Sequence, residues 1–534
     1  MVRAITSLRV PAFLVAIAVA GCTLVAPLFA ARQPALTGSA RLARAYDAIF
    51  DARFDDVPRL LEEACGPRTT SSSHRSRKAD ADRAPEEACQ LLDVVSLWWQ
   101  MQLDAQSLSS DARFSTRVDA AIEALEAWTQ EQPDKAEAWF YLGGAYGARA
   151  QWQALRGERV AAAREGKRIK QSLERALELD PALHDAWFGI GLYHYYADVA
   201  PTAAKMLRWL LALPGGDKEA GMREMLRAQR SGELLKDEAD YQLHLIYLWY
   251  ENQPDRALTL LKGLVQAHPR NPLFAAQAAE VEDVHLSDFG ASLASWRALY
   301  DAARARRVAE PEVAEVRARL GMARQLDAIY ETDLAIAHLR AVVAARPVAP
   351  FESHALAELR LGQSLDRMGL RSEAMAAYRR ALELVPSRDP LHVEADVRAG
   401  LRKAPDADSA AAYRLSIEGA RAIERGDLTT AARALARSLA LRPDDQVTRY
   451  RQARLLEARN EDVAAIELYE SVMSAGELTP PTFFASASLQ AAQLYEQQRD
   501  RTRAIELYER AQDAFGVDAT TKAAATRALA RLSK

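Results

Sequence analysis

The sequence predicts an all-α protein, a superhelix of stacked antiparallel helix pairs, and three observations predict it. Ala, Leu, Arg and Glu dominate while β-branched residues are sparse, a composition that favours helix throughout. Small and large apolar residues return with a period of about 34 residues, the length of one helix-turn-helix unit. A proline closes several of these units at the same relative place, where it ends the second helix. With 534 residues the chain has ample apolar surface to bury. Its net charge of −4 is close to neutral, which argues against a broad electrostatic grip on nucleic acid.

The first segment, residues 1–34, is set apart. Arg3 and Arg9 precede a run from Val10 to Ala31 without a charged residue, the pattern of an export signal. Three readings fit it. Val19-Ala20-Gly21-Cys22 resembles the lipobox of bacterial lipoproteins, which makes Cys22 a lipidation candidate. Ala18-Val19-Ala20 is a signal-peptidase site. The whole run of about 22 residues is also long enough to serve as an uncleaved membrane anchor. All three place the remainder outside the cytoplasm, on the periplasmic side of a bacterial membrane, because the positive flank stays inside.

Beyond Cys22 there are two more cysteines, Cys65 and Cys89, flanking a stretch too rich in Ser, Arg and Asp to pack. As a disulfide they would close a loop of about 25 residues and contribute roughly 3 kcal/mol; as two unpaired buried thiols they would be inert. No C-x-x-C is present, so neither a thiol oxidoreductase motif nor a zinc site is indicated.

The repeats carry the fold. Leu361, Gly362, Ala374, Tyr378, Ala381 and Pro386 fall at positions 7, 8, 20, 24, 27 and 32 of a unit of about 34 residues. This resembles the tetratricopeptide repeat, so the expected fold is a TPR-type α-α superhelix. Gly419, Ala431, Leu435 and Pro443 fit a second unit; Ala453, Ala465 and Tyr469 a third; Ala492, Ala504, Tyr508 and Ala511 a fourth. Earlier, Trp139, Leu142, Gly143 and Tyr146 open a unit that Leu173, Ala176 and Pro181 close, and Tyr241, Ala257, Leu261 and Pro269 fit another. Small residues at positions 8 and 20 let two helices approach closely, and the large residue at 24 fills the gap between pairs. One pair cannot bury its own apolar face, so neighbours stack and leave a concave binding surface. Residues 519 to 532 read as a terminal capping helix. The expected domains are 35–310, a divergent TPR-like region, and 311–534, a TPR array with its cap.

Between Trp187 and Gly191, which open a further unit, and its partner helix lie about 19 extra residues, the insert at 198–216. They predict an added helix from about Thr202 to Leu213, ended by Pro214, Gly215 and Gly216, with Asp217 as N-cap of the helix after it. The stretch GGDKEAG is not a phosphate loop: it lacks the G-x-x-x-x-G-K-[ST] spacing, the hydroxyl and the preceding strand. Gly189-x-Gly191 lies inside a helix and is no dinucleotide fingerprint.

Gly191-Leu192, then Pro201, Lys205 and Leu207, then Gly216-Asp217-Lys218 and Gly221 look like the signature segment of the tetratricopeptide repeat protein 39 family. The resemblance spans residues 40 to 310. It implies a helical adaptor without known enzyme activity; eukaryotic members are linked to lipid homeostasis. The export-type N-terminus and the Cys65 to Cys89 loop depart from the family, so an exported bacterial relative is the better description.

No motif points to an enzyme or to a cofactor. The nine histidines are scattered, with no H-E-x-x-H, G-x-S-x-G or Cys/His arrangement. His194 and Asp198 could offer two metal ligands, without a visible third; Tyr193, Tyr195 and Tyr196 beside them suggest a packed or groove-lining aromatic patch. Arg164, Lys167, Arg168 and Lys170 read as a solvated helix face, and Trp98 and Trp99 as core. The expectation is a non-enzymatic scaffold, membrane-held outside the cytoplasm, binding a protein or peptide in its groove. The alternative is a membrane- or lipid-contacting scaffold that uses Met206, Leu207, Leu210 and Leu211 of the insert helix.

Overall fold

The computed structural model describes residues 35–66, 82–199, 215–514, 517 and 519–533. Among these it contains 24 α-helices and no strands. The expected fold class is what is found: consecutive helices pair antiparallel and each pair stacks on the next. Cys22, Pro201, Lys205 and the insert helix expected from Thr202 to Leu213 lie outside the described residues.

Residues 35–534 form one compact unit. Its first residues are pinned at once: Leu36 is fully buried, and Thr37 donates its backbone N–H and its hydroxyl to Glu137 at 2.8 and 2.9 Å. Helices Ser39–Phe50, Val57–Cys65 and Glu86–Gln102 follow, and Cys65 and Cys89 are joined by a disulfide with Cα atoms 6.4 Å apart. Helices Asp111–Glu131, Ala136–Leu155 and Arg159–Leu179, of 21, 20 and 21 residues, are longer than the repeat helices that follow, such as Arg371–Leu384 with 14. Phe289–Arg304 and Pro311–Ala328 pack directly on each other across residue 310. The apolar core changes from one cluster to the next inside a single helix, between Phe274 and Ala276.

The repeat spacing is met by physical contact. A Cβ placed on Gly362 would lie 2.5 Å from the Tyr378 ring, on Gly419 2.6 Å from Leu435, and on Gly143 2.7 Å from Leu173. At Gly191 the added atom would meet Gly221 and Met225 at 2.7 and 2.8 Å. The residue at position 8 is therefore small because the residue at position 24 of the partner helix lies against its backbone. Ala374, Ala381, Ala431, Ala465 and Ala504 are fully buried, as are Tyr469 and, within 2 %, Tyr378 and Tyr508. Pro386 follows a helix that ends at Leu384, and Ala519–Leu532 packs on the last pair. Two pairs were not anticipated, Pro272–Val284 with Phe289–Arg304 and Pro311–Ala328 with Thr332–Ala345. In the second, Gly321 lies under Trp296 of the preceding pair, so the small residue serves the contact between pairs.

Candidate functional site

The described part of the stretch LALPGGDKEAG, from Gly215 onward, serves helix capping. Asp217 accepts the Ala220 backbone N–H at 2.8 Å and caps helix Lys218–Ser231. Its own N–H donates to the carbonyl of His194 at 3.1 Å, and the Lys218 N–H donates to Asp198 at 3.1 Å. Two carboxylates therefore hold the helix start that an anion would need. A side chain at Gly216 would collide with the His194 carbonyl and the Asp198 amide. Lys218 reaches away to Glu251 at 2.9 Å. Gly216, Asp217, Lys218, Gly221 and Gly191 thus come together around the end of helix Ala186–Val199.

His194 pairs with Glu224 at 2.8 Å, and among the described residues no three His, Cys, Asp or Glu side chains gather as a metal would require. Tyr195 is fully buried and donates to Glu251, while Tyr193 and Tyr196 line a cavity. Arg164 and Arg168 are exposed, but Lys167 and Lys170 are half-buried, and Lys170 is paired with Glu174. Trp99 is buried; Trp98 is only half-buried and forms part of the same cavity wall. Trp139 bonds the Pro133 carbonyl at 2.9 Å, Tyr146 bonds Glu126 at 2.5 Å, and Trp187 lies under the Arg227 guanidinium at 4.7 Å.

That cavity measures about 570 Å³ and is walled by helices Ser39–Phe50, Glu86–Gln102, Ala136–Leu155, Arg159–Leu179, Ala186–Val199 and Lys236–Trp249. Its surface is largely aromatic and aliphatic. Three polar groups stand in the wall with restricted chemistry. Asp185 accepts the backbone N–H groups of Glu233, Leu234 and Leu235 at 2.7, 2.9 and 2.8 Å. Glu238 accepts Tyr46 Oη at 3.3 Å and Gln242 at 3.4 Å, and burial pushes its carboxyl up to about 7. The Tyr141 hydroxyl is buried without a hydrogen-bond partner.

A second depression, of about 390 Å³, is lined by Tyr330, Arg367, Asp406, Ser409 and Tyr413. Tyr330 turns the chain between Pro311–Ala328 and Thr332–Ala345 at φ +65°, a conformation that costs a tyrosine energy and persists where neighbours impose it. The turn itself imposes it, since Asn460 and Arg499 adopt the same conformation two residues before their second helices, and Arg451 donates to the Tyr330 carbonyl at 2.8 Å. The Tyr330 ring lies 6.0 Å from Tyr413 and 5.5 Å from Phe483, and Arg367 covers Tyr413 at 5.9 Å. Burial raises the Asp333 carboxyl, but the hydrogen bonds and charge of Arg421, at 2.8 and 2.9 Å, outweigh it and hold the group below the usual range.

Neither site was assembled by sequence reasoning. The cavity had two legible signals, the aromatic patch of Tyr193 and Tyr196 and the glycines Gly143, Gly144 and Gly147 inside a predicted helix. Tyr330, Tyr413 and Phe483 had none, being far apart in the chain.

Residues 359–388 match the family model of the tetratricopeptide repeat. No curated protein sequence matches the chain. Solved structures do. A tetratricopeptide repeat protein from Parabacteroides merdae is 15% identical over 56% of this chain and 99% of its own, with a TM-score of 0.25. RapI in its apo form is 10% identical over 92% and 98%, with a TM-score of 0.33. Yeast Tom70 is 13% identical over 81% and 96%, with a TM-score of 0.25. At this similarity none of them transfers a partner to this chain. The chain is an all-helical repeat protein that carries a tetratricopeptide repeat.

Proposed function

We propose that the protein is a non-enzymatic scaffold that acts outside the cytoplasm, held at a membrane by its N-terminal segment, and grips an extended segment of a partner protein in the depression around Tyr330. The observation that carries this reading is the mixed chemistry of that depression. Rings of Tyr330 and Tyr413 offer apolar contact, while Arg367, Asp406 and Ser409 stand beside them as hydrogen-bonding groups. A peptide needs both, because each of its residues brings a backbone donor and acceptor along with its side chain. The Cys65–Cys89 disulfide supports an oxidising compartment. Kinship with the tetratricopeptide repeat protein 39 family belongs to the same proposal and rests on Gly191, Gly216, Asp217 and Gly221.

Crosslinking in intact envelope membranes tests the binding. Wild type captures a defined partner and Tyr330→Ala with Tyr413→Ala loses it, while Val463→Asp, on an exposed residue elsewhere, keeps it. Equal capture by all three overturns the assignment of the site. Fractionation tests the location: recovery of the wild type in the cytosol overturns it, and release of Cys22→Ala from membranes identifies lipidation as the anchor.

A further inference from the structure

We propose that the 570 Å³ cavity beside Gly144 and Gly147 is a binding site for a small, uncharged, largely apolar molecule. Its size falls within the range of small-molecule sites, and so does its composition, an apolar wall with a few convergent polar groups. Size alone would not distinguish a site from a packing fault. The glycines do.

Glycine inside a helix destabilises it relative to alanine, so a mid-helix glycine needs a reason. Gly143 has one, since a Cβ there would strike Leu173 at 2.7 Å. Gly147, one turn further along the same helix, has none of that kind: an added Cβ would meet nothing within 4 Å. At Gly144 it would meet a single Leu91 methyl, at 3.1 Å. Both glycines line the cavity, and what their missing side chains leave is room. The Tyr141 hydroxyl is an independent second observation. It belongs to a side chain 1 % exposed in the same wall and has no hydrogen-bond partner, an arrangement that is costly unless something supplies one.

The wall also selects the occupant. A peptide threaded here would bring a backbone N–H and C=O with every residue, against few available polar groups. Asp185 is committed to three backbone amides and Glu238 to Tyr46 and Gln242, and the other polar tips in the wall, such as those of Trp98, Tyr141, Gln151 and Tyr196, are carried singly on largely apolar side chains or at isolated places rather than in a ladder. Unpaired amides in an apolar site oppose binding. An anion is disfavoured because the wall contains two carboxyl residues, Asp185 and Glu238, and among the described residues its one basic side chain, Arg159, is exposed to solvent. The occupant that fits is uncharged, apolar over most of its surface, and able to accept or donate one or two hydrogen bonds. This site is separate from the depression around Tyr330 and stands whether or not that one binds a partner.

Fluorescence titration of the full chain with N-phenyl-1-naphthylamine, an uncharged probe, and with 8-anilinonaphthalene-1-sulfonate, an anionic one of similar shape, tests the proposal. The uncharged probe saturates at one site per chain and the sulfonate binds at least tenfold more weakly. Gly147→Leu weakens the uncharged probe at least tenfold while the helical circular dichroism and melting curve hold, since the new side chain enters open space. Val160→Trp, which fills the cavity from the facing helix, does the same and serves if Gly147→Leu fails to fold. Non-saturable binding, unchanged affinity in a folded filled variant, or equal affinity for the sulfonate each overturns it.

Discussion

The hydroxyl of Tyr378 donates to Oδ2 of Asp366, twelve residues earlier, at 3.1 Å. Tyr469 makes the same bond to Glu457 at 2.7 Å, and Tyr508 to Glu496 at 2.8 Å, each again across twelve residues. The large residue at position 24 thus does more than fill space. Its ring is fully buried between helices while its polar tip reaches an acid near the end of the first helix of its own pair, which satisfies a phenol that burial would otherwise penalise.

Tyr378→Phe removes the bond and keeps the ring, and is expected to cost about 1.5 kcal/mol in chemical denaturation. Gly362→Ala adds one carbon where the ring already lies 2.5 Å away. Because a Cβ built on Gly400 would also meet this ring, at 2.6 Å, the ring has little room to yield, and the change is expected to cost about 1 to 3 kcal/mol through overpacking. A neutral result for Gly362→Ala would mean that the Tyr378 ring is free to move.

Reduction of the Cys65–Cys89 disulfide, or Cys65→Ser with Cys89→Ser, is expected to cost about 3 kcal/mol. The sulfurs are buried between two helices of the first core cluster, so the loss appears as a lower melting temperature under reductant. Two alkylatable thiols in the protein purified without reductant would contradict the pairing.

Asp217→Ala removes a cap and is expected to cost about 1 kcal/mol. Gly216→Ala must displace the His194 carbonyl and is expected to cost more, on the order of 2 kcal/mol. Neither change is expected to act through a nucleotide. Saturable ATP or GTP binding abolished by Lys218→Ala would restore a phosphate site.

Glu238 gives stability a definite pH dependence. Burial raises its carboxyl from 4.5 to about 7, so the folded state binds this proton more tightly than the unfolded chain does. Its contribution is complete below the unfolded value and is lost as pH rises through 7. The loss amounts to about 3 kcal/mol between pH 4.5 and 8. His244, lowered to about 4 by burial, acts in the opposite sense, stabilising less as pH falls from 6.5 toward 4. The informative measurement is therefore the difference between wild type and Glu238→Gln at pH 5 and pH 8. The variant gains relative to wild type at the higher pH, and a constant difference would contradict the buried titration.

The acids at Asp366, Glu457 and Glu496 were legible in the sequence but were passed over, because the repeat pattern is read on small and apolar positions. Asp217 was legible as a cap since the partner amide lies three residues on. The pairs around Gly321 escaped because their glycine faces a tryptophan from the preceding pair, outside the unit in which a repeat is sought.

By itself the sequence determined the helices of the recognised repeats and how the regular pairs close, since there the contact between positions 8 and 24 joins residues sixteen apart and is fixed by local periodicity. Gly362 with Tyr378 and Gly419 with Leu435 are of this kind. Only the tertiary structure decided where the stack leaves space. The cavity draws Leu91, Gly147, Ala163, Tyr196 and Glu238 from five helices, and the rings of Tyr330 and Phe483 meet across 153 residues. The pairing of Cys65 with Cys89 belongs with these, because a bridge requires Cα atoms brought to 6.4 Å. The physical reason is shared: close approach between helix pairs depends on the summed volumes of side chains from several pairs, and no single repeat contains that sum.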